Sequence, residues 1–171
     1  MTQDAAPGTD DEVARAVAVL LDENSRARAE LLDAIEGLSD DRRCERWFDD
    51  WSIYEIIAHL AAWQDGFATA LEGAVRGERP QVPGFDPLLE DATDRYNANV
   101  AESVPGTTWE QMMVRLDAAR AHHEAAVRSV PDRIPADRFE EGRSTRRLAS
   151  SANHDREHTP EILEWRAREG I

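Results

Sequence analysis

Apolar side chains recur at intervals of three and four residues along most of this chain, and no segment alternates apolar and polar residues over a useful length. The first pattern is that of a helix with one buried face, and the second would indicate a strand. The helical pattern covers residues 10–38, 52–76, 88–102, 108–130 and 145–168. All are long except 88–102, which has few apolar residues. The pattern predicts an all-α four-helix bundle with an extra short crossover helix.

Local start and stop signals delimit these predicted helices. Ser52 and Glu55 fit a capping box, in which a hydroxyl and a carboxylate each accept a hydrogen bond from an otherwise unpaired backbone N–H. Thr108 and Gln111 have the same spacing and predict a second helix start. Gly77 suits the left-handed residue that follows a helix, so we expect the second helix to end there.

The connections are marked by proline and by polar residues. The proline-rich loop 78–85 follows the second helix, and Asp86-Pro87 is typical of an N-cap and a first helical residue. We therefore expect this pair to open the crossover helix. Residues 39–51 form a connector rich in charged and aromatic side chains, and a polar loop, 140–144, precedes the last helix.

The length of the chain indicates a single domain, and its cysteine content indicates the compartment. A chain of 171 residues can bury a full core, so we expect one bundle over residues 10–171 after a disordered lead-in at 1–9. The single Cys44 excludes an internal disulfide and fits a reducing compartment. We interpret Cys44 as a half-buried structural thiol. No apolar run approaches the roughly 20 residues that span a bilayer, and the acidic start is unlike a signal peptide, so we expect a cytoplasmic protein.

The net charge of −15 argues against nucleic acid and anionic membrane surfaces as partners, because both attract basic proteins. Every one of the 20 Lys and Arg positions is an arginine. The absence of lysine excludes a Schiff-base lysine, a pyridoxal phosphate anchor and a Walker A lysine. We expect a small molecule as the substrate.

Three histidines carry the most specific chemistry. His154 and His158 lie four residues apart on the last predicted helix, so they share a face with Cβ atoms roughly 5–6 Å apart. Two imidazoles so placed can bind one divalent cation. His59, on the apolar face of the second helix, can complete a trio that leaves a position open for water or substrate. The alternative for each is a hydrogen-bonded core histidine, but three buried imidazoles without a shared purpose are costly.

Other interpretations of the histidines are less favourable. Residues 154–158 match H-x-x-E-H, an inverted zinc peptidase motif, but only 13 residues follow it to supply a further ligand. A di-iron bundle needs Glu-x-x-His motifs, and they are absent. His122 and His123 are adjacent and point about 100° apart, so they cannot chelate as a pair. We expect both on the solvated surface.

Two segments resemble a known family. Residues 51–63 (WSIYEIIAHLAAW) are similar to the second-helix motif of the DinB-like superfamily, and residues 152–158 (ANHDREH), with Ile162 and Trp165 after them, resemble its last-helix motif. The stretch GERP that begins at Gly77 is closest to the DfsB branch, the relatives of the colibactin self-resistance protein. The resemblance extends over most of the chain, about residues 12 to 168.

The resemblance implies an up-down-down-up bundle, usually dimeric, in which His59, His154 and His158 hold a divalent metal, often zinc or nickel. Members of the superfamily include thiol-dependent transferases and isomerases that use low-molecular-weight thiols. The colibactin-resistance branch instead hydrolyses an electrophilic cyclopropane. The resemblance carries no particular substrate over to this chain, but it makes a homodimer the expected assembly.

We therefore expect a metal-dependent enzyme of detoxification or stress resistance, in which water or a small thiol attacks an electrophilic substrate. Glu157 and Glu55 are the candidate catalytic carboxylates, as proton acceptors or as partners that orient a ligand histidine. An exposed surface position is the alternative for Glu157. Trp63, Trp165 and Tyr54 are the aromatic residues expected to line the substrate or cofactor pocket. The rival hypothesis is a non-catalytic binding protein, or a purely dimeric bundle, with the histidines in a polar network.

Overall fold

The computed structural model describes residues 9–48, 50–140 and 143–171, so residues 1–8 of the predicted disordered lead-in lie outside it. Within these ranges there is no β-strand, and an antiparallel bridge joins Phe48 and Trp51. The helices are α1 (Thr9–Ile35), α2 (Asp40–Arg43), α3 (Ile53–Val75), α4 (Ala92–Glu102), α5 (Trp109–Arg128), α6 (Ser144–Leu148) and α7 (Ala152–Glu169), with a 3-10 turn at Ala136–Arg138. The predicted all-α class is confirmed. No described helix has both the length and the apolar character needed to cross a membrane.

Two apolar clusters determine the direction of the four long helices. One joins the end of α1 to the start of α3, the start of α5 and the end of α7, through Leu31, Ile53, Met112 and Trp165. The other joins the start of α1 to the ends of α3 and α5, through Val13, Leu71 and Val127. Helices α3 and α5 are therefore parallel to each other and antiparallel to α1 and α7. This is the up-down-down-up order that the family resemblance implies.

The parallel pair α3 and α5 requires a long connection, because the chain must return along the whole bundle before α5 begins. Residues 76–108 make this connection, which we call the crossover, and α4 is its helical part. Tyr96 of α4 fastens it to α3 by donating a hydrogen bond to the Ala62 carbonyl over 3.1 Å. Nearby, a Cβ atom added at Gly66 of α3 would lie 2.6 Å from a methyl carbon of Val82. The crossover thus lies directly on α3, where only glycine leaves room for it.

The predicted capping boxes are confirmed at both helix starts. The backbone N–H of Ser52 donates to the Glu55 carboxylate over 2.9 Å, and that of Thr108 donates to the Gln111 side chain over the same distance. Both N-cap hydroxyls accept from backbone N–H groups of the first turn. Gly77 follows the last turn of α3 with φ of 83°, as predicted. These signals depend only on residues a few positions apart, so they can be recognised from the sequence alone.

The predicted start of the crossover helix is wrong. Asp86 and Pro87 do not open a helix, because the Asp86 side chain accepts from the Leu88 N–H over 3.1 Å and its carbonyl accepts from the Leu89 N–H. These bonds close a tight turn instead. Helix α4 begins only at Ala92.

The predicted last helix is divided in two. Helix α6 ends at Leu148 and α7 begins at Ala152. Between them the Asn24 side chain of α1 accepts hydrogen bonds from the N–H groups of Ser151 and Ala152 and donates to the Ala149 carbonyl, each over 3.0 Å. Tertiary bonds from α1 therefore replace the helical ones at this point.

Two side-chain placements differ from expectation. His123 is fully buried rather than solvated, and its Nε2–H donates to the Leu148 carbonyl over 2.7 Å, at the end of α6. His122 does lie at the surface. Cys44 is exposed rather than half-buried, because it follows the short α2 on the outside of the bundle.

Candidate metal centre

The imidazoles of His59, His154 and His158 converge. Helix α3 supplies the first and the first two turns of α7 supply the others. The Nε2 atoms of His59 and His154 lie 2.6 Å apart, and the centre of the His158 ring lies 5.4 Å from that of His59 and 5.5 Å from that of His154. His59 and His158 are buried and His154 is partly buried. The predicted trio is thus a single cluster.

A buried ion pair holds α7 in the rotation that directs its histidines inward. Arg28 of α1 donates to both carboxylate oxygens of Asp155, over 2.9 and 3.0 Å, and the two residues are 3% and 1% exposed. The same guanidinium donates to Gln64 of α3 over 2.9 Å. Helices α1, α3 and α7 are therefore joined at one point, directly beside His154.

Asn97 sets the protonation of His59. Its Oδ1 accepts a hydrogen bond from the indole N–H of Trp63 over 2.9 Å, and the Nδ1 of His59 lies 3.1 Å from the same oxygen. Because an amide oxygen only accepts, the His59 proton lies on Nδ1 and its Nε2 carries the free lone pair. That Nε2 accepts from the Nε2–H of His154. Metal-binding histidines commonly have such a partner on their second ring nitrogen.

The carboxylate beside His158 is Glu161, whose Oε2 lies 3.2 Å from the His158 Nδ1. Glu157, the predicted candidate, is exposed and lies at the edge of the cavity above the cluster. Glu55 is buried, but its carboxylate is occupied by the α3 capping box and by Arg46, 3.2 Å away. The structure therefore brings neither predicted carboxylate into hydrogen-bond contact with any of the three clustered histidines, and their catalytic roles stay predictions.

Burial keeps the rings of His59 and His154 uncharged. It lowers the pKa of His59 to about 4, aided by the nearby His158 and opposed by the hydrogen bond to Asn97. The pKa of His154 falls to about 3, mainly through burial and further through His59, His158 and Arg28. Both rings are neutral near neutral pH, and the neutral form is the one that binds a metal.

The three donors fit a divalent transition metal. Their ligand nitrogens all lie within 4.8 Å of one another, and the closest pair is separated by 2.6 Å. One cation with bonds of about 2.0–2.1 Å keeps tetrahedral ligands roughly 3.3 Å apart, which falls between these values. Imidazole donors suit zinc, nickel, copper and iron, and three of them leave coordination positions open.

A cavity of about 730 Å³ opens over the three imidazoles, which form part of its wall. Its aromatic side chains are Phe48, Trp51, Trp63 and Phe67. Trp63 was expected there. Trp165 and Tyr54 were also expected but lie elsewhere: Trp165 is fully buried and stacks on Trp47, 4.8 Å between ring centres, and Tyr54 packs against Trp109.

Sequence reasoning missed Asn97, Glu161 and the Arg28–Asp155 pair. Asp155 lies seven residues before Ile162, so the helical period places both on the inner face, and a buried carboxylate there signals a basic partner. Asn97 has no such signal, because its contact with His59 depends on the course of the crossover.

The fold and site together define a helical bundle with a three-histidine centre at the base of an aromatic cavity. Comparison with known protein families matches residues 23–162 to the DinB superfamily, and the chain belongs to that superfamily. No curated protein and no solved structure matched it.

Proposed function

We propose that this protein is a metal-dependent enzyme that acts on a small electrophilic substrate, as a hydrolase or a thiol-dependent transferase, in detoxification or stress resistance. The observation that carries the proposal is the cluster of three imidazoles, within 4.8 Å of one another, in the wall of a cavity of about 730 Å³. A cavity of this size suits a small molecule.

His59, His154 and His158 would hold the cation, with zinc or nickel as the proposed metals. When bound, it supplies Lewis acidity, which makes a water molecule or a small thiol nucleophilic near neutral pH. Asn97 keeps the proton of His59 on Nδ1, so the Nε2 lone pair faces the centre. Trp51 and Trp63 limit the access of bulk water, since both have their rings against His59.

Glu157 is the carboxylate that we propose as the proton acceptor. It lies in the wall of the cavity while remaining exposed, so it can exchange a proton with solvent. Glu55 is proposed only as a more distant partner, because its hydrogen bonds belong to the start of α3. Within the superfamily, we propose that the DfsB branch is the nearest one, because the chain contains the stretch Gly77-Glu78-Arg79-Pro80.

Metal analysis of protein purified without a tag tests the centre. The wild type should contain roughly one transition-metal ion per chain. The metal content of the His59→Ala variant should be lower by about tenfold or more. His122→Ala is the matched control, because this histidine lies on the surface between α3 and α5 and should leave the metal content unchanged. Equal metal content in the wild type and the His59→Ala variant would overturn the proposal.

A second candidate is a non-catalytic binding protein with the histidines in a polar network. The contact between His59 and His154, and that between His59 and Asn97, favour it, because such hydrogen bonds satisfy buried imidazoles without a metal. Protein that stays metal-free after incubation with zinc and with nickel, yet binds apolar ligands in the cavity, would support this candidate. A homodimer is proposed for either function, and light scattering after gel filtration tests it.

A further inference from the structure

A second cavity, of about 1030 Å³, lies between the end of α3 and the proline-rich part of the crossover. We call it the crossover pocket. Phe67 and Arg147 form part of the walls of both this pocket and the histidine cavity. The two cavities are therefore adjacent at these side chains.

Three arginines and two carboxylates, Glu78 and Asp86, line the crossover pocket, so its wall carries one net positive charge in a chain whose net charge is −15. Of its three arginines, Arg76 is paired with Glu78 through two hydrogen bonds of 3.0 Å. Arg79 and Arg147 have no ion pair and no side-chain hydrogen bond to any residue in the described part of the chain. Two guanidinium groups are thus available to a ligand.

The rest of the wall is largely apolar. It includes Phe67, Val82, Phe85 and Leu148, and Trp63 packs against both phenylalanines with ring centres 5.5 and 5.2 Å away. An apolar surface with two unpaired guanidinium groups matches a ligand that has a hydrophobic body and an anionic end. Arginine is well suited to bind a carboxylate, because its planar fork can donate two parallel hydrogen bonds.

We propose that the crossover pocket is a specificity subsite for the anionic end of an elongated substrate. The anionic group pairs with Arg79 and Arg147, the apolar body lies along Phe67, and the far end extends to the three histidines. Only the fate of that far end rests on the proposed function. Recognition of the anion does not need a metal.

Binding of phenylbutyrate and of its neutral amide, measured by isothermal titration calorimetry at low salt, tests this subsite. The wild type should bind the carboxylate about tenfold more tightly than the amide. The Arg79→Gln, Arg147→Gln double variant should bind both equally. Arg168→Gln, a charge change at the opposite end of α7, should retain the preference. Equal affinities in the wild type, or a preference that survives the double variant, would overturn the proposal.

His59→Ala separates this subsite from the metal centre. The preference should persist in this variant, since the anion is held by arginines and not by a cation at the histidines. A preference lost with His59→Ala alone would place the anion at the histidine centre and overturn the subsite. Metal content measured on the same samples reports on the proposed function independently.

Discussion

Asp155 lies next to His154 in the sequence, and its carboxylate is bound at both oxygens by Arg28 of α1, 127 residues away. The pair joins the first helix of the bundle to the helix that carries two of the three clustered histidines. Because of this position, the geometry of the candidate metal centre depends on a buried electrostatic contact outside it.

Removal of either partner should destabilise the protein strongly. Asp155→Ala or Arg28→Ala leaves one charge in a site that is at most 3% exposed, and we expect a loss of about 3–5 kcal/mol in the free energy of unfolding. Urea denaturation measures it. Asp22→Ala, which breaks the exposed pair with Arg26, is the control and should cost less than about 1 kcal/mol. Similar losses for Asp155→Ala and Asp22→Ala would contradict this account.

Asn97→Ala should weaken metal binding without preventing folding. The variant removes the acceptor that holds the His59 proton on Nδ1, so we expect the affinity for zinc to fall by about 10–100-fold. Competition with a chromophoric chelator measures the affinity. Asn99→Ala changes an exposed asparagine on the same helix and should have no effect. Equal zinc affinities for the two variants would rule out the positioning role.

The depressed pKa values of His59 and His154 predict that the fold of the metal-free protein is sensitive to acid. The unfolded chain takes up protons at its histidines from about pH 6.5 downward, whereas these two rings stay neutral until about pH 4 and 3. Their contribution to stability is therefore fully present above pH 6.5 and is lost as the pH falls below it. In chelator-treated protein, His154→Gln should narrow the difference between unfolding free energies at about pH 7 and about pH 5. If the free energy of unfolding of that variant depends on pH as it does in the wild type, the lowered pKa of His154 is contradicted.

The contribution of His122 to stability should depend on pH in the opposite direction. Its hydrogen bonds with Asp65, 2.8 Å away, and with Glu72, 3.2 Å away, raise its pKa against the smaller opposing effect of burial. Stability from this contact is present below the unfolded pKa, about 6.5, and disappears as the pH rises through the folded value. Because the side chain is one-third exposed, we expect less than about 1 kcal/mol. His122→Gln should therefore destabilise more at about pH 5.5 than at about pH 8.5, and the reverse order would contradict the sign.

Two glycines of α3 provide a matched test of the crossover contact. Gly73→Ala should stabilise the helix by up to about 1 kcal/mol, because its new Cβ would lie no closer than 3.5 Å to a neighbour. Gly66→Ala would place a methyl group 2.6 Å from Val82, so it should be less stable than Gly73→Ala by about 1–3 kcal/mol. Val82→Ala in the Gly66→Ala background should recover part of the loss. Thermal unfolding measures all three, and equal stabilities of the two alanine variants would contradict the close approach.

The parts of the structure that could be predicted depend on local patterns. The long helices, both capping boxes and Gly77 follow from spacing within a few residues. Convergence of the histidines could also be predicted, because His59 and the α7 pair each lie on an apolar face and four helices offer only one interior. The family resemblance added the order of the helices.

The parts that could not be predicted depend on distant side chains. The break before α7 is made by Asn24, 127 residues from Ser151, and nothing in the local sequence distinguishes it from a continuous helix. The burial of His123 has the same origin, because its partner is the carbonyl exposed where α6 ends. The predicted helix start at Asp86 was wrong for a different reason. An aspartate before a proline can either cap a helix or close a turn, and the local sequence is the same in both cases.

The parallel arrangement of α3 and α5 separates the core of the bundle from most of the wall of the crossover pocket. The helices that carry the imidazoles also form the core, whereas most of the residues that line the crossover pocket lie in the segment 76–108. Substitutions in that segment should change the shape and charge of the crossover pocket while the core of the bundle stays intact. Directed evolution of the proposed activity can therefore begin with this segment, where sequence changes leave the packing of the four long helices largely untouched.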